Sequence, residues 1–379
     1  MHATLTFSKP GDVTPDVERP GLLKADFAAE DGTGDVHVCE LTDLSAPGAI
    51  EAGLEAAGFE TIDLEANTAL QEALDDVRQR DRLTSEAEAA IRQSLTGMEV
   101  ELANGTRLRV DLVVDDGLFH RRSGPGWTDV NPGGIDGVNG HGGARYVHGD
   151  QDVYGTPLRR LMHGTAPDAF RHVTPDGRND DAATFLLNLW IPIYAPVQPL
   201  ALMDQRTVDA ARHQLRFGLP VDGFLERDKD AEINDIWRFL YHGDQEWFVR
   251  TEMDSRQGYL FNTLGTAHGA ACLAGEDALA PLFLALSEAV GAIESGDAVP
   301  ALTAIDVSTP EPPYDASGPI RDGWKRLTQQ IGRANAMIAG SGSDAGWEDW
   351  RTQTVEVLDS VVRRSVELRL VASVIDVDG

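Results

Sequence analysis

Residues 182–194, AATFLLNLWIPIY, and residues 198–204, QPLALMD, decide the architecture. Both are short, rich in aromatic and branched apolar side chains, and bounded by Pro and Asp, which predicts strands instead of core helices. The same signature recurs at 144–150 (ARYVHGD), 246–253 (EWFVRTEM) and 258–265 (GYLFNTLG). A helix predicted over 207–218, TVDAARHQLRFG, interrupts the series. Several short strands in succession predict a sandwich or jelly-roll barrel with polar loops at its ends, and this half is the expected catalytic one.

Outside that core the pattern changes. Toward the N-terminus the chain reads as mixed α/β. A strand is predicted at 34–44 (GDVHVCELTDL), a short helix at 49–60, one or two helices over 68–95, and a strand over 106–120. Residues 121–144, RRSGPGWTDVNPGGIDGVNGHGGA, are so dense in Gly, Pro and Asn that they predict a long loop, either functional or mobile. Helical spacing returns over 276–295, 320–340 and 346–364, with a Pro-rich passage at 308–319, before a closing strand at 365–376. No internal repeat is present beyond the tetrapeptide HGDQ.

With 379 residues and 42% apolar content the chain can bury a sizeable core. Its formal charge of −30 argues against nucleic acid as a partner, and the acidic residues are spread along the chain as a solvated surface would have them. No stretch approaches the roughly 18 apolar residues of a membrane helix, and the first residues lack a secretory pattern, so the cytoplasm is the expected location. Cys39 and Cys272 are the only cysteines. Any metal must therefore be held by His and carboxylate ligands.

HGDQ occurs at 148–151 and again at 242–245, giving the pairs His148/Asp150 and His242/Asp244. A chain of this composition holds about one His-x-Asp by chance, so context decides. The first pair follows a predicted strand out of a glycine-rich loop, with Gly149 allowing a turn that lets both side chains converge. In the facial arrangement for non-haem Fe(II), two histidines and a carboxylate leave three positions open, and the third ligand must come from another strand. His268, in LFNTLGTAHGAACL, has small neighbours and fits that role. His242 and Asp244 follow EINDIWRFLY, read as a helix end, where such groups serve as caps or face solvent. His120 and His141 read as surface polarity or substrate contacts, and His163, His172 and His213 have no partner pattern.

Four passages, in this order, carry a resemblance: AGFETIDLEANTALQEALDD (57–76), VHGDQDVYGTPLRRLM (147–162), FLLNLWIPIYAPVQPLALMDQRTVD (185–209) and RRSVELRLVA (363–372). Together the chain resembles the AsaB-like hydroxylase/desaturase family, which includes the fungal gibberellin desaturase and a protein of cephalosporin 7α-methoxylation, within the Fe(II)/2-oxoglutarate oxygenases. The resemblance implies an α+β fold with a double-stranded β-helix, or jelly-roll, core. It implies Fe(II) held by His148, Asp150 and His268, and makes His242/Asp244 a decoy. Arg363 and Ser365 match the Arg-x-Ser feature that holds the far carboxylate of 2-oxoglutarate, a task suited to a planar guanidinium. Arg364 stands where the family has an acid, which leaves open which arginine binds. Ile191 stands where the family commonly has arginine.

Because Arg363 comes 95 residues after His268, the helices between them are expected to be an insertion, serving as a lid or a dimer surface. The expected organisation is one oxygenase-like domain over 1–379: an N-terminal α/β part (1–120), a jelly-roll core (121–275 plus 363–376) and a helical insertion (276–362). The expected activity is hydroxylation or desaturation of a small-molecule C–H bond, of a secondary metabolite by the family likeness, with 2-oxoglutarate and dioxygen as co-reactants. Substrate contacts are expected from the glycine-rich loop and from Arg121, Arg122, Arg145, Asn188 and Trp190, although exposed arginines are often only solvated and Trp190 suits core packing. Two other readings stay open: a jelly-roll metalloenzyme that does not use 2-oxoglutarate, and a non-catalytic partner subunit of a biosynthetic enzyme.

Overall fold

The computed structural model describes residues 1–17, 23–25, 34–49, 53–114, 117–131, 133–150, 170–174, 177–179, 182–220, 233–294, 305–307, 309–340 and 344–375. Residues 151–162 of the quoted His-x-Asp passage and His163 lie outside them. Eight strands build the centre: Phe119–Ser123 (β1), His148–Gly149 (β2), Thr184–Tyr194 (β3), Leu200–Met203 (β4), Trp247–Val249 (β5), Gln257–Asn262 (β6), His268–Ala270 (β7) and Arg363–Ile375 (β8). One sheet runs β1-β8-β3-β6 and the other β2-β7-β4-β5, every neighbouring pair antiparallel.

Side-chain alternation along these strands sorts the core into layers. Trp190 of β3, Leu200 and Leu202 of β4, and Tyr259 and Phe261 of β6 meet between the two sheets. The alternate residues of the first sheet, among them Leu187, Leu189, Ile191, Val366, Leu368 and Leu370, face outward. There they pack on the helices Thr68–Arg80 (α1) and Ser85–Leu95 (α2). Both helices are capped at their N-termini: Asn67 Oδ1 accepts from Leu70 N–H at 3.1 Å and Thr84 Oγ1 from Ala87 N–H at 3.1 Å. On the far side, Ala201, Met203, Trp247 and Val249 pack against Glu276–Glu294 (α3), Gly318–Gly340 (α4) and Asp344–Asp359 (α5). The order is therefore helices, sheet, sheet, helices. The α3–α5 block joins β7 to β8, and β8 returns to the middle of its sheet. Among the described residues no helix is long and apolar enough to cross a membrane.

The N-terminal segments do not form a layer of their own. Phe59–Asp63 extends the first sheet beyond β6, and Arg107–Val113 pairs with the far half of β8. His2–Phe7 and Asp35–Asp43 extend the second sheet beyond β5. Beyond β2 that sheet continues with Ile233–Phe239 and Gln214–Pro220.

Three local expectations are corrected. The stretch before the second HGDQ is a strand, because Trp237 and Phe239 enter one core while Ile236 enters another, a period of two. The helix expected over 207–218 shrinks to Ala210–His213, since Leu215 and Phe217 alternate into the same small core as Ile236. Gly149 makes no turn. It is absent from the positive-φ residues and sits in a two-residue strand, paired to Trp237.

Candidate metal centre

His148 on β2 and His268 on β7 are direct partners across the antiparallel pair, and their rings lie 4.3 Å apart between centroids. Asp150 follows β2 by one residue. Its Oδ1 lies 3.3 Å from His148 Nε2 and its Oδ2 lies 3.7 Å from His268 Nε2. One donor atom from each of the three falls within 4.8 Å of the others, the one such group of three or more His, Cys, Asp or Glu side chains among the described residues.

The tautomers suit a metal. His148 Nδ1 pairs with the Tyr146 carbonyl at 2.7 Å and His268 Nδ1 with the Thr266 carbonyl at 3.0 Å. An Nδ1–H donated to a carbonyl leaves the Nε2 lone pair for coordination. Burial, followed by the neighbouring His148, lowers His268 to about 4, which keeps its imidazole neutral near pH 7. Burial pushes the Asp150 carboxyl up, but His268, His148 and Arg369 outweigh it and hold the group below the ordinary carboxylate range. Asp150 is also held from behind. Asn188 Nδ2 donates to its Oδ2, and Asn188 Oδ1 in turn accepts from Thr263 Oγ1 at 2.9 Å.

A narrow cleft opens between the sheets at this point, with Trp190, Leu200, Phe261, Ala270, Arg363 and Glu367 among its walls. Arg363, the first residue of β8, is 1% exposed. Its guanidinium lies 5.5 Å from the Trp190 ring centroid. Its Nη2 reaches Ser365 Oγ at 3.4 Å and Glu367 at 3.5 Å, while Nε and Nη1 have no hydrogen-bond partner among the described residues. Burial, the largest influence, lowers this guanidinium to about 10. A buried arginine with unmatched donors facing a cleft is costly unless an anion completes it. Two imidazoles and one carboxylate fit Fe(II), and Arg363 with Ser365 fits the far carboxylate of 2-oxoglutarate.

The remaining expected residues separate by strand face. Arg364 turns away from the cleft, with Nε 2.7 Å from Asp81 and Nη2 2.8 Å from Asp359. Arg122 goes to the same Asp81 at 2.8 Å, so it does not reach the metal-ligand set. Arg121, one residue earlier, points inward to Glu367 at 2.5 Å. Arg145 is exposed and lies 5.9 Å from the Trp127 ring centroid. Trp190 lines the cleft, and Asn188 reaches Asp150. Ile191 points to the α1–α2 side of its sheet. Near the second HGDQ, His242 and Asp244 form an exposed pair at 3.5 Å that belongs to no such group of three.

The glycine-rich loop is anchored. Asn139 exchanges hydrogen bonds with the Leu83 backbone at 2.8 and 2.9 Å, and His141 is buried. A wider surface groove of about 580 Å³ runs past Tyr194 and Arg256, away from His148, Asp150 and His268.

Sequence reading overlooked Glu367 and Thr263. Glu367 had a signal: residues 363, 365 and 367 share one face of a strand. Thr263 had none, because its partner Asn188 lies 75 residues away in sequence.

No protein-family model matches the chain, and no curated protein matches it, so the likeness to the AsaB-like family rests on the quoted residues. Solved structures give weak likenesses. One, described as iron and alpha-ketoglutarate-dependent endoperoxidase NvfI with different conformation, has a TM-score of 0.49 and 13% identity over 98% of this chain and 97% of that one. A single-substitution variant of the same endoperoxidase gives 0.48 and 15% over 98% and 96%.

Proposed function

We propose that the protein is a non-haem Fe(II)- and 2-oxoglutarate-dependent oxygenase that hydroxylates or desaturates a C–H bond of a small molecule. The eight central strands, in the order β1-β8-β3-β6 facing β2-β7-β4-β5, read as a jelly roll with its α3–α5 block inserted before the last strand. The observation that carries the function is the meeting of two kinds of group in one cleft: the His148/Asp150/His268 set and the buried, incompletely bonded Arg363.

Bound iron with 2-oxoglutarate and dioxygen would supply the oxidising power for attack on an unactivated C–H bond. The chain's own residues place and shield. His148, Asp150 and His268 would hold the iron, and a set of only three protein ligands would leave it open to small ligands. Asn188 holds Asp150 Oδ2, which orients the carboxylate toward the two histidines. Arg363 and Ser365 grip the far carboxylate and so direct the 2-oxo acid end toward the ligand set. Trp190, Leu200 and Phe261 keep water from the reacting centre. Small-molecule hydroxylation or desaturation, and a secondary metabolite as substrate, follow from the family likeness.

The test is anaerobic titration of the Fe(II)-loaded protein with 2-oxoglutarate. A weak visible charge-transfer band from the chelated cosubstrate is expected. A flat spectrum with iron demonstrably bound would remove the cosubstrate and favour a metalloenzyme working through the same three ligands.

A further inference from the structure

Arg363 and Glu367 lie on the same face of β8, close enough to form a full ion pair, yet their contact is long, 3.5 Å from Nη2 to Oε1. The other oxygen, Oε2, is taken at 2.5 Å by Nε of Arg121 from the neighbouring strand β1. Arg121 is itself fixed, because its Nη1 donates to the Gly142 carbonyl at 2.9 Å in the anchored loop. Glu367 is thus drawn toward β1, and Arg363 keeps Nε and Nη1 without partners among the described residues although it is almost fully buried. Resting on the 2-oxoglutarate reading, we infer that Arg121 is a positioning residue for the cosubstrate: by engaging Glu367 it reserves the Arg363 guanidinium for an incoming dicarboxylate. It also offsets the repulsion that the Glu367 carboxylate in the cleft wall would exert on a dianion.

The arrangement explains why a carboxylate stands in a cleft meant for an anion. Without Arg121, Glu367 would turn to Arg363 as its nearest cation and occupy the donors that the cosubstrate needs. With neither Arg121 nor the Glu367 charge, Arg363 would again be available. The inference therefore predicts rescue, which a purely structural ion pair would not show.

The experiment uses the full chain, loaded anaerobically with Fe(II) and titrated with 2-oxoglutarate while the charge-transfer band is read. Iron affinity is measured separately on each variant. Arg121→Gln is expected to raise the half-saturating 2-oxoglutarate concentration roughly tenfold, the scale of one charge-assisted hydrogen bond, with iron affinity unchanged. Arg121→Gln combined with Glu367→Gln is expected to return to within about threefold of the unmodified protein. An Arg121→Gln protein that titrates like the unmodified one, or a double variant no better than the single, overturns the inference. Should Arg121→Gln fail to fold, Glu367→Gln alone decides: equal or tighter cosubstrate binding supports the inference and weaker binding overturns it. If the unmodified protein gives no band, the function reading falls and this inference with it; a normal band with an unchanged Arg121→Gln variant removes this inference alone.

Discussion

At the scale of single residues the repeated tetrapeptide is separated by surroundings. His148 and His268 face each other across paired strands, whereas His242 sits in an exposed turn beside an exposed Asp244. His148→Ala or His268→Ala is expected to abolish specific Fe(II) binding in anaerobic calorimetry, while His242→Ala leaves it intact; equal losses from all three would mean that the second HGDQ also takes part. Asn188 acts one bond further out. Its amide and the Thr263 hydroxyl form a relay behind Asp150, and partners of this type typically contribute about 10–100-fold in metal affinity. Asn188→Ala should weaken binding by roughly tenfold. The same calorimetry checks it, and an unchanged affinity would assign Asn188 to the substrate side. In the sequence the spacing alone did not separate the two HGDQ copies; the predicted strand before His148 singled out the first, His268 stood out by its small neighbours, and the family likeness added Arg363. What was not legible is that Asn188 reaches Asp150, since their contact spans 38 residues and depends on where β3 lies against β2.

At the scale of elements the strand period explains the arginines. Arg363 and Arg364 are consecutive on β8, so one enters the cleft and the other meets Asp81 at the end of α1 and Asp359 at the end of α5. Arg363→Gln should remove the 2-oxoglutarate band at every attainable concentration, whereas Arg364→Gln should retain it and lower the melting temperature. The reverse pattern would exchange their roles. The same period was underused at 233–239, where a helix end was expected although Trp237 and Phe239 alternate with Arg238. Short apolar runs do not tell helix from strand by content alone, and the neighbouring strand that settles the matter, Gln214–Pro220, was itself read as a helix end. The long strands β3 and β8 and the helices α1 and α2 were readable because each is long enough to show its own apolar spacing.

At the scale of the whole molecule, charged and titratable groups sit where layers join. His120 of β1 is buried under the loop beside Arg122 and Arg364, and burial followed by those two cations lowers it from 6.5 to about 4. Its folded value lies below its unfolded one, so the unfolded chain binds more protons between them. The stability this neutral histidine allows is complete above about pH 6.5 and is lost as pH falls toward 4, about 3 kcal/mol in all. His120→Gln should flatten that part of the stability–pH profile in urea titrations; an unaltered profile would assign the acid sensitivity elsewhere. Glu276, fully buried at the start of α3, accepts from the backbone N–H of Leu273, Gln198 and Gly126 at 2.7, 3.0 and 3.3 Å, tying the helical block to the barrel.

The placement of β8 has a consequence for how the chain is made. A ribosome releases β1 to β7 and then three helices before it supplies the strand that belongs between β1 and β3. Until then the nascent protein holds His148, Asp150 and His268 but lacks Arg363, with β3 exposing an open edge that invites pairing with other chains. The His148/Asp150/His268 set thus exists as a polypeptide before Arg363 can join it, and covering the open edge of β3 falls to the last strand made.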